Sequence, residues 1–212
     1  MIKMNIDKVK IVAEEVLSNN WYTLRKYTFD YQRADGQWER QSREAYDRGN
    51  GAVILLYNQE KQTVLLTRQF RIPTYTNGND TGMLIEACAG LLDKDNPEDC
   101  IKRETEEETG YKITAVQKIF EAYMSPGSVT EILYFFVAEY ADDMKVSQGG
   151  GSEQEQENIE VMELDFQHAL EMVKSGEIRD AKTIMLLQYA QLNDLLKETA
   201  EQDLNAARPL IM

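Results

Sequence analysis

The residues best suited to chemistry lie between Arg103 and Gly110, where Glu104, Glu107 and Glu108 stand beside an arginine. On a helix, Glu104 and Glu108 are four apart and project from one face, with Glu107 alongside. Like charges this close repel, so a cation belongs among them. Arg103 pairs with Glu107 at helical spacing, which leaves Glu104 and Glu108 as oxygen donors. A hard divalent ion suits such donors, above all Mg²⁺, which favours carboxylates together with substrate phosphates. A solvated acidic helix face is the competing reading of any E-x-x-E-E run.

Three other charged residues point to the same chemistry. Arg71, at the end of a strand-like run, is either a phosphate-contacting side chain or half of a surface salt bridge. Glu86 lies in a short apolar segment, where an isolated charge is costly. It is a site ligand or a structural pair for Arg71, and the site role is favoured. Lys182, near a helix start, can reach a phosphate. His168, the single histidine, sits in a polar helix and has no assigned role.

These residues need elements to hold them. Asn96 is an N-cap, Pro97 fits the first helical position, Glu98 and Asp99 suit the positive end of the dipole, and Gly110 closes the helix. Ala52–Tyr57 and Gln62–Phe70 read as buried strands about a polar turn, and Met83–Cys88 as a short strand delivering the chain to a turn at Ala89-Gly90. Ile113–Tyr123, Thr130–Tyr140 and Ile159–Leu164 read as further strands. Helices are expected over Phe166–Ser175 and from Ala181 to about Thr199, the second capped by Asp180. Thr76–Thr81 and Met124–Val129 are loops. Val146–Asn158, Gly-rich and acidic, reads as a mobile segment.

The first 48 residues look like a separate unit. Lys8–Leu17 alternates loosely, whereas Trp21–Gln32 and Gln37–Tyr46 are strand-like runs joined through Asp35-Gly36, a hairpin signal. Its aromatic residues, Trp21 and Trp38 among them, exceed what a two-stranded ribbon can bury, so it needs a partner surface, preferably a second subunit. Residues 49–200 form the main domain and 201–212 a tail.

With 212 residues the chain can bury a substantial core. Its formal net charge of −14 argues against a nucleic-acid surface. A phosphorylated substrate must therefore be drawn in by local cations. Cys88 and Cys100 lack metal-ligand spacing and suit reduced, buried thiols. The start, MIKMNIDKVK, has no apolar signal core, and no run reaches membrane-spanning length, so a cytoplasmic location is expected.

The stretch from Gly90 to Tyr111 resembles the Nudix box, G-x5-E-x7-R-E-U-x-E-E-x-G-U. Its second half matches, with Thr105 at a usually aliphatic position. The first half departs, with Asn96 at the first glutamate position and one residue fewer before Arg103. Further, YDRGNGAVILLYN, RQFRIPTYTNGN, IEACAGLLD, EAYMSPGSVTE and GEIRDAKT are similar to segments of bacterial GDP-mannose pyrophosphatases of that superfamily, over about Lys8 to Leu192. The resemblance implies an α+β fold, a Nudix α/β/α sandwich with a mixed sheet, preceded by a small antiparallel β unit exchanged between two subunits. It implies Mg²⁺, with Mn²⁺ as a substitute, on the Ala89 carbonyl, Glu104, Glu108 and Glu157. Glu157 is also the implied base, with Glu155 and Glu153 as alternatives. Substrate contacts fall on Arg71, Ala89, Gly90, Leu91, Glu108, Glu131, Gln156, Glu157 and Lys182. Trp21, Ser42, Arg43 and Glu44 of the partner subunit join them. Pro126 points to the nucleotide-sugar group.

The expected activity is Mg²⁺-dependent cleavage of a nucleoside diphosphate sugar, GDP-mannose to GMP and mannose 1-phosphate, by a soluble homodimer without nucleic-acid or membrane partners. ADP-ribose or an ADP-sugar is the alternative substrate. A Nudix fold that senses a nucleotide without cleaving it is the alternative of another class, and the intact carboxylates speak against it.

Overall fold

The Asp35-Gly36 turn closes a hairpin, with Gly36 at φ +84° and the Arg33 amide bonded to the Gln37 carbonyl at 2.8 Å. Those angles suit glycine and match the twist of the flanking strands. The computed structural model describes residues 8–92, 94–152 and 156–196. The chain falls into two units, one reaching Gly51 and including Ala122–Leu133, the other holding Ala52–Glu121 and the chain from Tyr134 onward.

In the first unit, β1 (Val9–Asn19), β2 (Thr23–Gln32) and β3 (Trp38–Asp47) form an antiparallel sheet in that order. The loose alternation of β1 has a physical cause. Its register slips between Ile11 and Ala13 and again between Val16 and Ser18, and each irregularity breaks the two-residue period. The strand β2 starts two residues later than the sequence suggests, leaving Trp21 84% exposed. The segment around Ser125–Thr130 joins this unit, the Tyr46 amide donating to the Ser128 carbonyl and the Thr130 amide to the Tyr46 carbonyl.

In the second unit, β4 (Gly51–Asn58) and β5 (Thr63–Phe70) make a hairpin whose turn places Gln62 at φ +56°. A one-turn helix, α1 (Ile72–Tyr75), follows. Then come β6 (Met83–Glu86), β7 (Ala89–Leu91), α2 (Pro97–Thr109), β8 (Gln117–Tyr123), β9 (Ile132–Glu139), β10 (Glu160–Asp165), α3 (Phe166–Ser175) and α4 (Ala181–Leu192). The mixed sheet runs β10-β5-β4-β9-β8, with β6 added to β5 and β7 to β4. This is the expected α+β arrangement.

Three elements depart from expectation. The helix α1 takes up residues 72–75, to which the sequence assigns no element. The expected strand over Met83–Cys88 ends at Glu86, and Ala89-Gly90, read as a turn, belongs to β7, because the chain crosses from β5 to β4 between them. The helix α4 ends at Leu192, with Asn193 capping it and Asp194 at φ +54°, so it does not continue through Asp194 toward Thr199. Lys197–Thr199 and the 201–212 tail lie outside the described residues.

One core cluster packs α2 against the sheet. It gathers Ala52, Ile54 and Leu56 of β4 with Cys100 and Ile101 of α2, and Phe136, Ala138 and Tyr140 close it. Each fully buried Leu or Ile contributes about 1.5–3 kcal/mol. Both cysteines are buried, and neither forms a disulfide.

Candidate active site

The helix α2 forms as its sequence dictates. The Asn96 side chain accepts from the amides of Glu98 and Asp99 at 3.1 and 3.0 Å, and Gly110 closes the helix at φ +79°. Its buried stripe is Cys100, Ile101, Thr105, Glu108 and Thr109. Glu108 thus stands on the core-facing side, 2% exposed, among apolar neighbours. Thr105 fits the apolar stripe because its hydroxyl donates to the Ile101 carbonyl at 2.6 Å.

A buried carboxylate needs partners. Glu108 accepts from the Ala89 amide at 3.3 Å, with the Cys88 thiol and Arg71 in electrostatic reach. These do not offset its surroundings. Burial first, then the charges of Glu157 and Glu104, push its pKa up to about 8 against the Cys88 thiol and Arg71. Glu104, Glu108, Glu157 and Arg71 therefore share one electrostatic neighbourhood.

Arg103 does not leave Glu104 aside, as its spacing suggested. Its guanidinium reaches Glu104 at 2.8 Å and Glu107 at 3.7 Å. The nearer contact is with the adjacent residue, and Asp95 lies at 3.6 Å from the same guanidinium. Glu104 packs on β7, where a β-carbon at Gly90 would collide with its carboxyl group. Glycine is required by this approach, and it sets the β7 backbone at Ala89, Gly90 and Leu91 against the acidic side of α2.

The segment after Lys145 is not simply a linker. Val146 and Ser147 donate to the Gly110 carbonyl, Gly150 to that of Glu108 at 2.9 Å and Gly151 to that of Glu107 at 3.2 Å. These amides satisfy carbonyls that the last turn of α2 leaves open. Gly149, Gly150 and Gly151 all take positive φ, +68°, +114° and +82°. The Glu157 carboxylate then accepts from the Ser152 amide at 3.1 Å, and the Glu157 amide donates to the Ser152 carbonyl. Gln156 is exposed at φ +57°. The alternatives for the base, Glu153 and Glu155, lie outside the described residues.

Arg71, Glu86 and Lys182 form one ionic group. Arg71 Nε donates to Glu86 Oε2 at 2.7 Å, and Lys182 Nζ pairs with Glu86 and with Asp180 Oδ1, the latter at 2.9 Å. Burial opposes the charge on Glu86, but Lys182 and Arg71 outweigh it and hold the carboxyl below its usual pKa. Asp180 caps α4 and accepts from the Thr183 hydroxyl, which itself accepts from the Ala87 amide at 2.7 Å. That stitch, invisible in the sequence, ties α4 to the end of β6. The Cys88–Glu108 proximity and the glycine latch on α2 were likewise not foreseen. Three consecutive glycines beside an acidic helix end were the available signal.

In the first unit, Ser42, Arg43 and Glu44 lie on β3, and the Ser42 hydroxyl is 3.1 Å from that of Thr28. Glu131 pairs with Arg48 at 3.6 Å, its side chain 12% exposed. The His168 amide is capped by Asp165, an ordinary role in the first turn of α3.

Among the described residues no three His, Cys, Asp or Glu side chains are gathered closely enough to form a ready-made metal cluster. The donor chemistry nonetheless suits a hard divalent ion. Glu108, Glu104 and Glu157 supply only carboxylate oxygens, and their mutual repulsion on a buried group is what such an ion relieves.

A family model for the GDP-mannose pyrophosphatase NudK N-terminal domain matches residues 8–46, and one for the NUDIX domain matches residues 47–187. A GDP-mannose pyrophosphatase from Yersinia enterocolitica serotype O:8 / biotype 1B is 60% identical over 190 residues, covering 90% of this chain and 98% of its own. One from Escherichia coli O1:K1 / APEC is 56% identical over 189 residues, 89% of this chain and 98% of that protein. One from Shigella dysenteriae serotype 1 is 55% identical over the same span. With the box helix, the buried glutamate and a domain match over most of its length, this chain belongs to the Nudix hydrolase family.

Proposed function

We propose that this protein hydrolyses the pyrophosphate bond of GDP-mannose to GMP and mannose 1-phosphate. The observation that carries the reading is Glu108, a carboxylate buried on α2 and bonded to the Ala89 amide of β7, with the charges of Glu104, Glu157 and Arg71 acting on it. That arrangement has little value for stability and suits phosphoanhydride chemistry. The substrate follows from relatives of at least 55% identity that carry that name.

In this reading the Ala89 carbonyl, Glu104, Glu108 and Glu157 would hold Mg²⁺, for which Mn²⁺ could substitute. Such an ion would supply neutralisation of the pyrophosphate charge and polarisation of a phosphorus. Glu157 takes a proton from water as the water oxygen bonds to that phosphorus. The bridging P–O bond breaks, and its electron pair leaves on the departing phosphate. Arg71 and Lys182 donate N–H groups to phosphoryl oxygens as charge develops. Ala89, Gly90, Leu91, Glu131 and Gln156 border the nucleotide or sugar.

The same proposal makes the active form a homodimer in which the N-terminal unit is exchanged, so that Trp21, Ser42, Arg43 and Glu44 serve the other copy. The exposed Val9, Ile11, Val12, Val16 and Trp21 on the first sheet support a covered surface. A cytoplasmic location fits a substrate of this kind. Among the described residues no helix is long and apolar enough to cross a membrane.

The test is a comparison of kcat/KM with Mg²⁺ for GDP-mannose, other GDP-sugars, ADP-ribose, ADP-glucose and UDP-glucose. GDP-mannose should lead, giving GMP and mannose 1-phosphate. A lead for ADP-ribose would keep the chemistry and discard the sugar, and binding without turnover would favour a sensor.

A further inference from the structure

We infer that Glu86 is a positioning residue that sets Arg71 and Lys182 as a paired clamp for the substrate pyrophosphate. The inference rests on the proposed phosphate role of those two cations and assigns the residue that aims them.

The geometry is specific. Glu86 ends β6 with its side chain 4% exposed, and each of its oxygens takes one cation. Arg71 engages Glu86 through Nε, a contact that leaves the four N–H donors of its two terminal amino groups outside that bond. The Arg71 side chain as a whole is 40% exposed. Lys182 has three N–H donors. Two serve Glu86 and Asp180, leaving one for a ligand. The two cations come from opposite ends of the unit's sequence, and Glu86 is the atom-level bridge between them. An arginine and a lysine held by one buried anion do not need to be gathered when substrate arrives, so ordering costs fall before binding.

Glu86 is also distinct from the metal donors. It is fully engaged by nitrogen cations, and a divalent ion would have to displace both. Its charge is matched, not repelled, unlike that of Glu108. The bland alternative is an ion pair that merely fastens β6 to α4. The Thr183 hydroxyl already does that through Ala87 and Asp180, without Glu86.

The experiment measures kcat and KM for GDP-mannose, and thermal stability, in Glu86→Gln, Glu86→Asp, Arg71→Ala, Lys182→Ala and the double variant Arg71→Ala with Glu86→Gln. Glu86→Gln should raise KM by about 10–100-fold, the size of a lost charge-assisted contact, with a smaller change in kcat. Glu86→Asp keeps the charge one methylene back and should give an intermediate KM, which also serves if the glutamine variant is insoluble. In the Arg71→Ala background Glu86→Gln should add only about twofold, because it acts largely through the missing arginine. Lower stability with an unchanged KM for folded enzyme would overturn the inference. So would full additivity in the double variant. If Arg71→Ala and Lys182→Ala leave KM unchanged, the phosphate role itself falls, and the clamp falls with it. Raised KM in those two with normal KM in Glu86→Gln would defeat Glu86 alone.

Discussion

Glu108 and Glu86 are both nearly buried carboxylates, and their surroundings push them in opposite directions. Two cations hold Glu86 charged, whereas burial and two further carboxylates resist the charge on Glu108. The stability consequence of Glu86 has a definite sign. Its pKa lies lower in the folded state than in the unfolded chain, so its contribution is present above about pH 4.5 and is lost as pH falls below that value. Acid unfolding followed by circular dichroism should show a shallower loss of stability below that pH in Glu86→Gln than in wild type. An equally steep acid limb in the variant would contradict the pairing. For Glu157, replacement by glutamine removes the proton acceptor while keeping the Ser152 contact in shape. Turnover should fall by about 10²–10⁴-fold with the melting temperature little changed. Retained turnover would move the base elsewhere.

The elements show where reading a sequence succeeds and where it stops. The helix α2 was legible because its signals are local: Asn96, Pro97 and Gly110 act on amides and carbonyls within a turn of themselves. The burial of Glu108 was not, since a charged residue on an apolar stripe is understood only once β7 lies beside it. The segment 146–158 reads as mobile because glycines in sequence signal freedom. In the structure their positive φ angles let amides meet the end of α2. Arg71 and Lys182 could be named singly, but the bridge between them needed the third dimension. This latch can be broken. Gly149→Ala would strain a residue at φ +68° and drive a β-carbon into the Glu108 carbonyl. It should cost about 1–3 kcal/mol in denaturant unfolding and lower kcat about 100-fold through displaced Glu157. If kcat held while stability fell, the latch would serve the fold alone.

At the scale of the whole molecule, the first sheet carries the least satisfied surface. The aromatic excess in residues 1–48 led to the expectation of a partner surface, and the structure has an exposed apolar row along β1. Ile11 is 61% exposed and Val16 55%, so charging both should cost the isolated fold little. Light scattering should find wild type as two copies, and Ile11→Asp with Val16→Asp as one copy with reduced activity. A wild-type monomer that is fully active would end the exchanged-dimer reading. A double variant that stays dimeric would place the contact elsewhere.

The measurement nearest the centre of the account compares wild type with Glu108→Gln on GDP-mannose and Mg²⁺, with products separated by chromatography. Wild type should give equal amounts of GMP and mannose 1-phosphate. Glu108→Gln should lose turnover by orders of magnitude while melting no lower, because its charge is unfavourably buried without the ion. Wild-type turnover in Glu108→Gln, or the absence of those two products from wild type, would contradict the assignment.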